Sequence, residues 1–222
     1  MFIGHYAVAF GCKRLARKTS LGTLLAAALF LDLLWPLFLL LGWESVRIAP
    51  GNTAFTPLAF THYPITHSLL SAVGWAVAFA GAYFWRSRYL IGALVVGALV
   101  ISHWLLDAVA HRADLPLYPG SDVRIGLGLW NSRAATLIVE SGMFAAGLWI
   151  YVKTTRPLMR HGTHALGWFV AVVAVFYLSA AFGPPPPDAA LLAWLSLGIW
   201  LFPVWALWID EHRLVRAPVS QA

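Results

Sequence analysis

Residues 89–111 read YLIGALVVGALVISHWLLDAVAH, an almost unbroken apolar run that closes on His103, Asp107 and His111. A helix needs about 20 apolar residues to cross a bilayer, and this run supplies them. Residues four apart share one helix face, so the three metal-type side chains point the same way. Ionisable groups are costly in hydrocarbon and mark function where they occur. The stretch predicts a helical membrane protein with a polar, metal-binding site towards one end of its helices.

The rest of the chain has the same character. Apolar residues make up 60% of the 222 residues, charged residues 11%, and Trp occurs 12 times. Soluble domains carry about a quarter charged residues. Six segments are apolar for long enough to span: 21–43, 66–85, 89–110, 133–152, 165–183 and 189–209. The predicted fold class is an all-α integral membrane protein, one polytopic domain over 1–222, built as a bundle of about six transmembrane helices. Residues 2–12 are too short to cross and predict an interfacial or re-entrant helix. The basic segment Lys13-Arg14-Leu15-Ala16-Arg17-Lys18 follows it and completes an N-terminal stretch over 1–20. No small-x-small cleavage site follows the first long run, so it reads as a retained span. Pro184–Pro187 form a stiff turn before the last span. Cys12 is alone, which excludes an intrachain disulfide.

The formal charge of +6 is not a nucleic-acid signal, because the basic residues sit in short clusters between apolar runs. With the N-terminus inside, eleven basic residues fall on the cytoplasmic side: Lys13, Arg14, Arg17, Lys18, Arg86, Arg88, Lys153, Arg156, Arg160, Arg213 and Arg216. Only four, Arg47, Arg112, Arg124 and Arg133, fall outside. The positive-inside rule then predicts a multi-pass protein of a bacterial inner membrane with both termini cytoplasmic.

In this topology the polar residues converge. Asp32 lies just past the middle of span 1, His67 opens span 2, His103 and Asp107 occupy the outer half of span 3, and His111 ends it. Glu140 lies about two turns into span 4 from its outer end. Their shared depth predicts one site facing the periplasm. His103 and His111 are about 12 Å apart along an ideal helix, so they share an ion only if the helix breaks near Ala110. Otherwise two ions about 3.5–4 Å apart, with Asp107 between them, fit better. Pro36 cannot donate to the carbonyl of residue 32, so a kink is expected there. Thr66 is expected to cap span 2.

The candidate ligands are His67, His103, Asp107 and His111, with Asp32 as ligand or orienter and His5 as a further member. Glu140 and Asp32 are the candidate catalytic carboxylates, Glu140 as general base. Arg112, beside the site, is placed to bind a phosphate or carboxylate of the substrate. Each has a plainer reading: helix-packing hydrogen bonds for the buried acids, an interfacial position for His5, His62 and Arg112. His161, His164 and His212 read as surface residues. The loops 44–65 and 111–132 adjoin the site and form its lid and walls.

Thr66-His67-Ser68-Leu69-Leu70, followed one span later by Ser102-His103-Trp104-Leu105-Leu106-Asp107, resembles the bacterial YdjM-like family of membrane-bound metal-dependent hydrolases. His5 ahead of a first span that carries Asp32 fits the same pattern over roughly residues 1–120. That family shows a Pro-Asp-x-Asp run where this chain has Leu31-Asp32-Leu33-Leu34. The order His5, Asp32, His67, His103 with Asp107, His111 and Glu140 is also distantly similar to the ligand order of zinc-dependent phospholipase C. Thr136 stands where that order needs a histidine. The resemblance implies a divalent metal, zinc first, as one or two ions, and hydrolysis of an ester or phosphoester of a lipid or lipid-linked substrate. A proton- or cation-coupled transporter component and a non-catalytic membrane scaffold are the competing functions. The transporter predicts polar residues running on to the cytoplasmic face, and the inner halves of the spans offer almost none.

Overall fold

The computed structural model describes residues 1–216. Helix α1 (Ile3–Cys12) leads to α2 (Leu21–Ala28), whose Ser20 cap accepts the Thr23 amide at 3.1 Å, and then to α3 (Phe30–Leu40). A hairpin of β1 (Ser45–Ile48) and β2 (Leu58–His62) precedes the single turn α4 (Pro64–His67) and helix α5 (Leu69–Ser87). Next come α6 (Leu90–Ala110), the short ladder of β3 (Leu115–Pro116) with β4 (Arg124–Ile125), and α7 (Arg133–Thr154). Strand β5 (Thr155–Pro157), α8 (Arg160–Phe182), α9 (Ala189–Ser196), α10 (Leu201–Glu211) and β6 (Arg213–Val215) complete the chain, with β6 antiparallel to β5. The fold is helical, and its sheet among the described residues is limited to two-stranded ladders.

Among the described residues, four helical stretches are long and apolar enough to cross a membrane: α6, α7, α8 and the Ala189–Glu211 stretch containing α9 and α10. They agree with the four later expected spans. Between α9 and α10 a 3-10 turn covers Leu197–Trp200. Pro203 accounts for it, because its ring has no N–H for the carbonyl of Ile199. The first two expected spans come out differently. Span 1 is the pair α2 and α3, bent by 55°, and makes a fifth crossing only if the pair is one span. Span 2 is α5, whose 19 residues include Ser71, Gly74, Gly81, Tyr83 and Arg86, and it is not among the helices apolar enough to cross. The expected count of six therefore becomes four, or five with the bent pair, by length and composition.

The bend falls at Leu29 and not at Pro36. The carbonyl of Ala28 accepts the His103 Nδ1 hydrogen bond at 2.7 Å, so a side chain from α6 takes a place in the α2–α3 ladder. This break starts α3 afresh, with Asp32 in its first turn.

Helix α1, expected to be interfacial or re-entrant, is buried among the other helices. His5 is 1% exposed, Tyr6 4% and Phe10 0%, and the helix packs against α7, α2 and α6. A Cβ at Gly147 would strike the backbone of Ala7, so this glycine is what lets the α1 and α7 backbones touch. Outward faces carry exposed apolar side chains such as Val77, Leu94, Trp149, Trp168 and Val175, as the surface of a membrane protein does.

The two ends of the bundle differ in chemistry. At the end of α1, Lys13 donates to Asp210 Oδ2 at 2.6 Å and to the Thr19 carbonyl at 2.8 Å. Arg17 donates to the Arg216 carbonyl, and Arg213 to Thr155 Oγ1, at the same end. The opposite end of α1 enters the histidine and aspartate cluster, where the Met1 amino group contacts Asp107.

Candidate metal centre

The cluster is built where α6 ends, α3 begins and α4 turns. His67 comes from α4, which α6 holds in place through the Trp104 indole donating to the His67 carbonyl at 2.9 Å. Ser68, and not Thr66, caps α5, accepting the Ser71 amide at 3.2 Å. Thr66 is free for a different task. Its hydroxyl donates to Glu44 Oε2 at 2.6 Å and stands 2.6 Å from His67 Nδ1. Glu44 also accepts the Ile65 and Thr66 amides, both at 2.8 Å. A hydroxyl that gives its proton to a carboxylate can only accept from the imidazole, so His67 carries its proton on Nδ1 and turns Nε2 inward.

The same logic fixes two more tautomers. His103 Nδ1 faces the Ala28 carbonyl, which can only accept. His111 Nδ1 stands 3.0 Å from Asp114 Oδ1, a carboxylate that also accepts from the Tyr63 hydroxyl at 2.7 Å. Burial, then the Asp114 charge, hold the Tyr63 phenol well above its ordinary range, so it remains a donor. Three histidines therefore aim an Nε2 lone pair at one carboxylate, Asp107 Oδ2, at 3.7 Å for His67, 3.2 Å for His103 and 4.0 Å for His111. Outer partners that fix the ring tautomer are what metal-binding histidines need.

Asp32 Oδ1 closes the set, 3.6 Å from His67 Nε2 and 3.7 Å from His103 Nε2. Zinc bonds of about 2.0–2.2 Å in a tetrahedron place neighbouring donors about 3.4 Å apart. The four observed separations run from 3.2 to 3.7 Å, close to that edge. His103 Nε2 is buried and has no hydrogen-bond partner among the described residues, the signature of a lone pair lacking a donor or a cation. Asp32, His67 and His103 form one group able to hold an ion, and His5, His103 and Asp107 form another. The residues fit a metal.

His5 belongs to the cluster. Its ring stacks on His103 at 3.8 Å, and its Nε2 lies 3.1 Å from Asp107 Oδ1. His111 reaches Asp107 because α6 stops at Ala110 and residue 111 is extended, with φ −66° and ψ 152°. The helix thus breaks after Ala110, and His111 lies beside the two groups without joining either.

Two expected members lie elsewhere. Glu140 is fully buried but outside both groups, with Oε2 accepting the Phe2 amide at 2.8 Å and the Gly4 amide at 3.3 Å. Arg112 is exposed and donates to Asn52 Oδ1 at 2.5 Å, joining two loops. His62 is exposed at the end of β2. Glu44 and Asp114 are the candidate site residues that sequence reasoning missed. Neither has ligand spacing, and their only signal is an acid beside an apolar segment. Both expected loops do cover the cluster: Phe60 and Trp130 lie 4.7 and 4.4 Å from the His111 ring, and Gly128 donates to the His111 carbonyl at 2.7 Å.

Glu44→Gln is expected to leave the helical content unchanged and weaken divalent-metal affinity about tenfold or more, the range for outer partners of ligating histidines. Competition titration with a zinc-selective dye checks this.

Fold and site together define a helical membrane protein with a buried histidine–aspartate cluster at one end of its bundle. Comparison with protein-family models, with curated proteins and with solved structures finds no match for the chain.

Proposed function

We propose that this protein is a metal-dependent hydrolase of a bacterial inner membrane, acting on an ester or phosphoester of a lipid or lipid-linked substrate at the periplasmic side. The observation that carries the reading is the convergence of the His67, His103 and His111 lone pairs on Asp107, each imidazole held by an acceptor on its other nitrogen. Asp32, His67, His103 and Asp107 would hold a divalent ion, zinc by donor chemistry, with His5 and His111 adjoining. A bound ion there would supply a Lewis acid and lower the pKa of water at the site.

The chain's own residues do the rest. Glu44 and Asp114 orient the imidazoles through Thr66 and directly. Phe60, Trp130 and the loops that carry them exclude bulk water. Asp32 keeps 33% of its side-chain surface accessible while His103 is closed off, so the cluster opens at Asp32. Phe10, Leu24 and Phe169, fully buried and apolar, stand between the cluster and the basic end, which disfavours a proton relay across the protein.

Elemental analysis of protein purified after growth with zinc, manganese and iron supplied tests this directly. About one divalent ion per chain, or two, is expected, with chelator-sensitive release of product from phospholipid or lipid-linked phosphoester vesicles. Metal-free protein from metal-replete cells would overturn the reading and favour the scaffold.

A further inference from the structure

The lone pairs of the cluster call for a cation, but two donors beside it call for an acceptor. Tyr6 follows His5 on α1 and is 4% exposed. Its hydroxyl makes no hydrogen bond among the described residues, and the charge acting on it is the Asp32 carboxylate. The other buried tyrosines are all satisfied: Tyr63 on Asp114, Tyr151 on Asp210, Tyr177 on the Thr136 carbonyl. Trp35 is 7% exposed, and its indole N–H likewise has no partner. Trp75, Trp104 and Trp200 each donate to a backbone carbonyl. Trp35 stands three residues after Asp32 in α3, which puts the two on one face of that helix.

A buried donor left without an acceptor costs about 1–3 kcal/mol, and such donors are rare in folded proteins. The Trp35 N–H is such a donor, and it shares an α3 face with Asp32, the one ligand of the cluster that retains open surface, at 33%. The Tyr6 hydroxyl, which is not sealed from solvent, is a second donor without a protein partner among the described residues. Of the four basic side chains expected at this end, Arg112 is held by Asn52, Arg124 by the Ser121 carbonyl and Arg133 by the Ala54 carbonyl, while Arg47 is exposed on β1. We propose that Tyr6 and Trp35 donate hydrogen bonds to the oxygens of an oxyanion bound at the Asp32 side of the cluster, a group with at least two free oxygens such as a phosphoryl group. The inference rests on the metal reading above and deepens it, because a carboxylic ester presents only one strong acceptor oxygen to two donors and an ion. Tyr6 and Trp35 then set the position of the substrate, and neither exchanges a proton with it.

The test uses the full-length protein in detergent, loaded with zinc, with inorganic phosphate as the probe and calorimetry as the readout. Tyr6→Phe and Trp35→Phe each remove one donor and keep an aromatic ring. Each is expected to weaken phosphate binding about tenfold, as for a hydrogen bond to a charged acceptor, with zinc content unchanged. Tyr6→Phe should also leave the thermal midpoint unchanged or higher, because it deletes no hydrogen bond of the unliganded protein. Equal phosphate affinity in wild type and both variants, with zinc bound, would overturn the donor assignment alone. Wild-type protein that takes up zinc but binds no phosphate overturns it too. Protein that takes up no zinc removes the metal reading, and this inference with it, and elemental analysis of the same samples separates the cases.

Discussion

Protein carrying His103→Ala together with Asp107→Ala is expected to lose its divalent metal. Both residues belong to the donor set, and each contributes to more than one contact: His103 Nε2 faces Asp32 and Asp107, while Asp107 faces four imidazoles. Changing an outer partner of a metal ligand weakens affinity about 10–100-fold, so removing two ligands should exceed about 100-fold. Elemental analysis of purified samples would then read close to zero against about one equivalent in wild type. His212→Ala is the matched control, since His212 lies after α10 and away from the cluster, with Nδ1 2.8 Å from the Trp208 carbonyl. A double variant that stays helical by circular dichroism and keeps its metal would place the ligands elsewhere in the chain.

The second large effect concerns Glu140. Its carboxylate holds the first turn of α1 by accepting two backbone amides, Phe2 and Gly4, inside a fully buried setting. Glu140→Ala leaves both amides without acceptors, at about 1–3 kcal/mol each. Stability should fall by about 3 kcal/mol, which for a chain of this size lowers the thermal midpoint by roughly 6–12 °C. The loosened α1 would carry His5 away from its stack on His103, so metal affinity should fall as well. Glu140→Gln retains an acceptor oxygen and should behave nearly as wild type in both measurements. A general base would give the opposite pattern: Gln as inactive as Ala in product release, with stability and metal content intact.

These two residues also show how far the chain could be read without its fold. His103 and Asp107 were legible because both lie on one helix, where spacing alone puts them on one face. Glu140 was legible as a buried acid at the right depth, but its partners are the amides of α1, more than 130 residues away in sequence. Glu44 and Asp114 act through Thr66 and His111, contacts that depend on how a hairpin and a loop lie over α6. The bend at Leu29 was assigned to Pro36 because proline is visible in a sequence and a hydrogen bond from His103 to Ala28 is not.

Composition and periodicity, which are local properties, determined that the chain is helical, marked six segments for a bilayer, of which the last four coincide with helices long and apolar enough to cross, and put His103 and Asp107 on one face. Only the tertiary structure decided which nitrogen of each histidine faces inward, that His5 enters the cluster, that Glu140 is spent on α1, and that Tyr6 and Trp35 are left without acceptors. The reason is physical: a hydrogen-bond partner or a shared ion is a relation between elements, and it exists only once packing has chosen which elements touch.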